Sequence, residues 1–252
     1  MATLKRRWID AATAPFGVRI AREGAAWVLI EPEQLKRFLA FFRVDCVFDV
    51  GANIGQYAQK LREIGFQGRI ISFEPVPEAA AALARLARTD NLWDVRVLAL
   101  DSTRREVDFN VMEGNQFSSL HEPDHSSTDA FIGVNKVTRQ LSIETQTLAE
   151  LFPALQDEFG FERPFLKMDT QGNDVAVVKG AGQCARQFVG LQSELAMTTL
   201  YAGTHDYHQA LEYYKSLGFK LSGLIPNNAG HFPDLNEVDC LMYNPNFLPN
   251  AE

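Results

Sequence analysis

The sequence predicts an α/β fold: a mostly parallel seven-stranded sheet with helices on both faces, closed by an antiparallel hairpin near the C-terminus. Three observations carry this. Short apolar runs beginning at Cys46 alternate with amphipathic stretches, as repeated strand–helix–strand units require. The last two strand-like runs, Phe219 to Ile225 and Val238 to Tyr243, have no helical pattern between them and so pair as a hairpin. Acids recur at the carboxyl ends of strand runs, namely Asp49, Glu74 and Asp169, with Glu194 on the next run; open α/β sheets bind ligands at that edge.

Residues 1 to 43 mix short apolar groups with Arg and Lys, and Leu35, Phe38, Leu39 and Phe42 fall at helical spacing, so this segment reads as a helical N-terminal cap on a single domain over 44–252. The first unit is the strand Cys46 to Val50 followed by a helix with Ile54, Tyr57, Ala58, Leu61 and Ile64 on one face. The second is Ile70 to Phe73 followed by a helix that Pro77 initiates, with Ala80, Leu83, Ala84 and Ala87 in one stripe. A third strand spans Val95 to Leu100, and Glu106 to Val111 alternates as a strand exposed on one side. Residues 113 to 129 lack periodicity and form a long loop, a place where function concentrates. A helix over Leu148 to Leu155, the strand Phe165 to Met168, a helix through Val175 to Val178 and a strand Phe188 to Leu191 follow. In the last helix Tyr207, Ala210, Leu211, Tyr214 and Leu217 share a face, and Gly218 ends it as a left-handed cap; Pro226-Asn227-Asn228 begins the turn of the closing hairpin.

Apolar residues make up 46% of the 252 and charged residues 22%, which describes a globular chain able to bury a core. The net charge of -8 provides no general attraction for phosphate backbones, so nucleic acid is not an expected partner. Cys46, Cys184 and Cys240 are far apart and form no C-x-x-C pair, which argues against a disulfide framework or a zinc knuckle. No apolar run approaches the ~20 residues of a membrane span, and the basic start Lys5-Arg6-Arg7 has no apolar core behind it. A soluble cytoplasmic protein is expected, with a homo-oligomer left open.

Gly51 and Gly55 flank the turn after the first strand, where missing side chains let a ligand approach the backbone. A dinucleotide fingerprint needs glycine where this chain has Asn53 and Gln56, and the G-K-[ST] of a P-loop is absent, so the turn is not built for phosphates. Asp49 would repel a pyrophosphate but attract the cationic methionine ammonium of S-adenosylmethionine. Glu74 lies 23 residues after Gly51, near the ~20-residue offset at which an acid accepts ribose hydroxyls. The crevice so defined is bounded by residues 49 to 55, Glu74 and the strand end Ala99 to Asp101. Alternatives with this fold are a dinucleotide-dependent oxidoreductase, which Asn53 disfavours, and an inactive binding module. Of the five histidines, His205 and His208 sit three apart on one helical face, yet no metal signature surrounds them and no metal is expected. Lys167 shares a face with Asp169 and reads as a structural ion-pair partner.

Ordered blocks over residues 44 to 243 resemble the FkbM-type methyltransferases: Val47 to Tyr57, Ser72-Phe73-Glu74-Pro75, Ser118-Ser119-Leu120, Phe165 to Gly172, Leu191 to Leu195 with Leu200 to Gly203, and Leu217-Gly218-Phe219. The resemblance implies a Rossmann-like class I methyltransferase fold with S-adenosylmethionine as cofactor. Its contacts would come from Asp49, Gly51, Asn53, Gly55, Tyr57, Glu74, Pro75, Ala99, Asp101, Ser119 and Asp169. It also implies methyl transfer to an oxygen, or alternatively a nitrogen, of a small molecule, a sugar or other glycan acceptor, or a natural product. Asp169 is the first choice for a catalytic role, Glu194 the second and His205 a further candidate base. Gln171 stands where many members carry Glu, and Asp174 where a longer acid is usual.

Overall fold

The computed structural model describes residues 30–128, 131–226 and 233–249. The expectations for residues 1–29, for His231 and for the Asn227-Asn228 turn lie outside the described residues. The chain runs α1 (Ile30–Phe41), β1 (Cys46–Val50), α2 (Gln56–Glu63), β2 (Arg69–Phe73), α3 (Pro77–Ala87), β3 (Trp93–Arg96), β4 (Ala99–Leu100), β5 (Glu106–Met112), β6 (Val137–Gln146), α4 (Leu148–Phe159), β7 (Pro164–Met168), α5 (Asp174–Ala181), β8 (Gly190–Ala196), α6 (Tyr207–Ser216), β9 (Lys220–Pro226) and β10 (Glu237–Tyr243).

Seven strands form one sheet in the order β3-β2-β1-β7-β8-β10-β9, parallel except for β10, which is antiparallel to both β8 and β9. The α/β class with its C-terminal antiparallel hairpin is therefore as expected. Strand order reverses between β1 and β7, which opens a crevice at their carboxyl ends. Alternation along β1 and β7 splits the core in two. Phe48, Leu166 and Met168 face one side with Phe73, Phe152, Phe161 and Phe188, while Val47 and Phe165 face the other with Leu35, Phe38, Leu39 and Leu61. Thus α1 packs on the same layer as α2. Among the described residues no helix is long and apolar enough to cross a membrane.

Local signals set the helix ends. Pro77 occupies the first turn of α3 behind an extended Val76. Thr147 with Glu150, and Asp206 with Gln209, form reciprocal caps on α4 and α6. After α6, Gly218 has φ +97°.

Several expectations are corrected. The third strand is two pieces: β3 joins the main sheet beside β2, while β4 joins a separate three-stranded sheet of order β4-β6-β5. β6, ten residues long, was not expected, because only Leu141, Ile143 and Thr145 alternate within a polar run. Ile54 and Ala84, expected on buried stripes, are exposed, because α2 begins at Gln56 and α3 buries only the narrower face of Ala79, Ala80 and Leu83. Within the long loop, Asn115–Phe117 form a 3-10 turn, and bridges from Asn110 to Ser119 and from Pro123 to Tyr201 tie the segment down. Glu194 lies within a strand that continues to Ala196 rather than beyond its end.

Candidate active site

At the switch point a cleft lies over the carboxyl ends of β1, β2 and β7, where open α/β sheets bind ligands. Gly51, Asn53, Glu74 and Asp169 line it, with Leu98, Leu100, Phe109 and Leu120 as apolar walls and Asn115 and Gln116 of the 3-10 turn as a rim. Among the described residues no Lys or Arg is on its walls. The small sheet supplies the far wall, because Phe109 of β5 packs there against Val76 and Ala79.

The glycines serve the fold more directly than expected. A Cβ on Gly51, whose φ is +74°, would lie 2.0 Å from the Asp169 carbonyl oxygen, so glycine here lets β1 pass β7. A Cβ on Gly55 would meet Leu83 at 2.9 Å and the Trp93 ring at 3.1 Å. Both positions hold the turn in shape by close packing, and neither glycine is reserved solely for ligand approach.

Glu74 follows the last residue of β2 and is buried on the cleft wall. Its carboxylate accepts the backbone N–H groups of Asn53 at 2.8 Å and Val76 at 2.9 Å, which leaves lone pairs for a ligand. Burial pushes its pKa up to about 7 against the pull of those two amides. Asn53 has φ +48°, and its side-chain carbonyl oxygen is buried with no hydrogen-bond partner among the described residues.

Asp169 sits one residue past β7, 41% exposed, on the walls of both this cleft and an adjoining open cleft. The second cleft adds Tyr57, Lys60, Phe117, Phe131, Glu194 and Glu237. One amide joins its acids: Gln171 Nε2 donates to Asp169 Oδ1 at 2.9 Å and to Glu194 Oε2 at 2.7 Å. Gln171 is held in turn by the Tyr201 hydroxyl, which donates to its Oε1 at 2.8 Å, and by the Ser119 hydroxyl, which donates to its backbone carbonyl at 2.6 Å. Its φ of +52° is a left-handed conformation that these bonds keep in place. Asp174 is sealed beneath, accepting the backbone N–H groups of Thr170 and Glu194 and the Ser193 hydroxyl, so it locks β8 to the β7–α5 turn.

The other expected site residues separate into lining and supporting groups. Pro75 and Ala99 line the first cleft and Tyr57 the second. Asp49 does not reach either wall. It is penultimate in β1, fully buried, paired with Lys167 Nζ at 3.0 Å and accepting the Ser72 hydroxyl at 3.2 Å. Asp101 points its carboxylate at Arg105 and the Ser102 N–H, and Ser119 is wholly buried under Gln171. His205 lines a smaller pocket on the far side of Glu194, with its Nε2 3.2 Å from Lys179 Nζ; burial first, then that ammonium, lowers its pKa. Sequence reasoning missed Gln116, Phe117, Phe131 and Glu237 on the walls. Glu237 alone carried a signal, as an acid opening an otherwise largely apolar strand.

The model of the methyltransferase FkbM domain matches residues 49–221, more than half of the chain. A curated relative, methyltransferase sdnD of Sordaria araneosa, is 29% identical over 156 residues, covering 54% of this chain and 60% of that protein, so the chain spans only part of that relative's length. Among solved structures, the chain is similar to Aeropyrum pernix fibrillarin with natively bound S-adenosyl-L-methionine, at 14% identity over 79% of this chain and 66% of that one, TM-score 0.43. It is also similar to TehB of Haemophilus influenzae, at 10% identity over 93% and 66%, TM-score 0.46. A third is the magnesium protoporphyrin IX methyltransferase of Synechocystis, at 8% identity over 96% of both chains, TM-score 0.44.

Proposed function

The chain belongs to the FkbM methyltransferase family, whose methyl donor is S-adenosylmethionine, and from that premise we propose that it methylates a hydroxyl oxygen of a small molecule, sugar or natural product. The observation that carries this reading is the meeting of the two clefts at Gly51, Asn53, Gln116, Asp169 and Gln171, so that a donor in one and an acceptor in the other would face each other across Asp169.

The first cleft suits the donor on its own features. The donor carries an ammonium and a sulfonium but no phosphate, and the walls carry Glu74 and Asp169 with no basic side chain. Glu74 would accept the ribose hydroxyls, Leu98, Leu100, Phe109 and Leu120 would sandwich the flat base, and the unpartnered Asn53 carbonyl oxygen together with Asp169 would meet the ammonium. A dinucleotide reading is disfavoured by the same walls, since a pyrophosphate would meet two carboxylates and no cation.

When bound, the donor supplies an electrophilic methyl on a good leaving group. What the chain adds is position: the amide of Gln171 fixes Asp169 against Glu194 beside a cleft walled by Tyr57, Phe117 and Phe131, in which these residues would hold the acceptor's oxygen toward the methyl group. Glu194 contacts the acceptor in this arrangement. The test is methyl-labelled donor with a panel of free sugars, glycosides and phenols, the products being read by mass spectrometry. Label on a hydroxyl oxygen is expected. Label found only on nitrogen, or a bound donor that transfers to nothing in the panel, would overturn the reading.

A further inference from the structure

The second cleft holds two carboxyls that touch. The register of β8 and β10 sets Glu194 opposite Asp239 and Glu237 opposite Ala196, so the two glutamates are diagonal neighbours on one face of the sheet. Both line the cleft, near enough for a hydrogen bond between their carboxyls. Such a bond needs a proton on one of the two, since a pair of carboxylates can only accept. Negative charge approaches from every neighbouring element: Asp169 at the end of β7, Asp239 of β10 and Asp174 of α5. Tyr201 is kept un-ionised by burial and by Glu194, Glu237 and Asp169. The cations nearby are committed, Lys167 to Asp49 and Lys60 to Glu31. Burial first, then the surrounding acids, raises Glu194 well above the ordinary carboxyl range, and burial with Asp169 brings Glu237 to about 7. As pH rises through about 7 the pair becomes a monoanion that shares one proton.

We propose that Glu237 acts with Glu194 as a single proton-sharing base that takes the hydroxyl proton of the acceptor. This rests on the O-methylation reading. As the acceptor oxygen bonds to the methyl carbon, the carbon–sulfur bond breaks and its electron pair returns to sulfur, leaving a neutral thioether. The O–H proton passes to the free oxygen of the pair, giving two neutral carboxyls, one of which later returns a proton to water. The sulfonium's positive charge and the pair's negative charge vanish together, so charge balances. A base matched to neutral pH is more effective than an ordinary carboxylate, which is too weak to draw the proton. Asp169, occupied by the Gln171 amide and 3.8 Å from Lys167 Nζ, is left to hold the donor.

The test uses the full chain and the variants Glu237→Gln, Glu194→Gln, Glu237→Asp and Asp169→Asn. Infrared difference spectra, without acceptor, are recorded as pH rises from about 5 to 9 across the range in which such a pair titrates. Wild type is expected to show at neutral pH a protonated-carboxyl component, over and above that of Glu74 and Asp239, that is diminished or displaced in both glutamine variants and kept in Asp169→Asn. With the hydroxyl acceptors of the panel, Glu237→Gln should lose about 10²-fold in kcat with KM little changed and with its near-neutral pH limb displaced, and Glu237→Asp should recover part of the rate. In Asp169→Asn the loss should fall mainly on donor affinity. No such component, or a Glu237→Gln enzyme that keeps kcat and its pH profile, overturns the pair while methyl transfer to oxygen stands. The component present with no hydroxyl ever methylated overturns the base role together with the reading beneath it.

Discussion

Gln171 shows how one side chain can organise a site that charge alone would scatter. Its amide nitrogen donates to Asp169 and Glu194 while its carbonyl accepts from Tyr201, so every polar atom of the side chain is used. A glutamate here would put a third carboxyl between two others. Gln171→Glu is therefore expected to cost about 2 kcal/mol or more of stability, through lost donation and like-charge contact, and to lower turnover. Chemical denaturation would measure it, and an unchanged midpoint would count against the bridge. Glu74 invites a gentler change. Removing it to Ala would also strand the Asn53 and Val76 amides, whereas Glu74→Gln keeps an acceptor for one of them. The glutamine should weaken donor binding by about 10-fold or more, near the 1.5–3 kcal/mol of a hydrogen bond to a charged group. Calorimetry that finds less than a twofold change would remove Glu74 from the donor's contacts.

Between elements, the deciding feature is a polar row buried across the sheet. Parallel register places Ser72 of β2, Asp49 of β1, Lys167 of β7 and Gln192 of β8 side by side on the face that α2 covers. Trp93 donates to the Ser72 hydroxyl at 3.0 Å, and the Tyr57 hydroxyl donates to Gln192 at 2.8 Å, so helix and strands are tied through it. Although burial acts against its charge, the carboxylates of Asp49 and Asp169 hold the Lys167 pKa above its usual value. Lys167→Met would leave Asp49 buried without its partner. It should cost about 3–5 kcal/mol, and Asp49→Asn in the same chain should recover part of that loss. Denaturant unfolding of the single and double variants checks this; equal stability of Lys167→Met and wild type would show that the pair carries no such burden.

At the scale of the whole molecule, buried acids give stability a particular pH dependence. Burial, with neighbouring charge, raises Glu74 and Glu237 to about 7, Asp239 to about 8, and Asp174 and Glu194 above their ordinary values. A carboxyl with a raised folded pKa binds its proton more tightly in the native state, so its contribution is complete below about pH 4 and is lost as pH climbs through 7 to 8. The lowered His121 and His205 act in the opposite sense, and only below about pH 6.5. The ligand-free protein should thus melt at lower temperature at pH 8 than at pH 5.5; a net loss of even ~2 kcal/mol would lower Tm by roughly 4–8 °C in a chain of this size. A flat or rising Tm across that range would contradict the protonation of these acids. The sequence by itself determined the alternation of strands and helices, the helix ends at Pro77 and Gly218, the closing hairpin, and the ordered blocks that mark the family, because each is written in neighbouring residues through period and backbone preference. It also located Glu74, Asp169 and the glycine turn at one edge of the sheet. Only the tertiary structure decided which acids face the cleft. Asp49 lies one residue before the end of its strand and is sealed under α2, whereas Glu74 and Asp169 lie one residue beyond theirs and reach the cleft. Tertiary structure likewise joined Glu194 to Glu237 and split the third strand between two sheets, since those outcomes depend on register and burial between segments far apart in the chain, which no local pattern encodes.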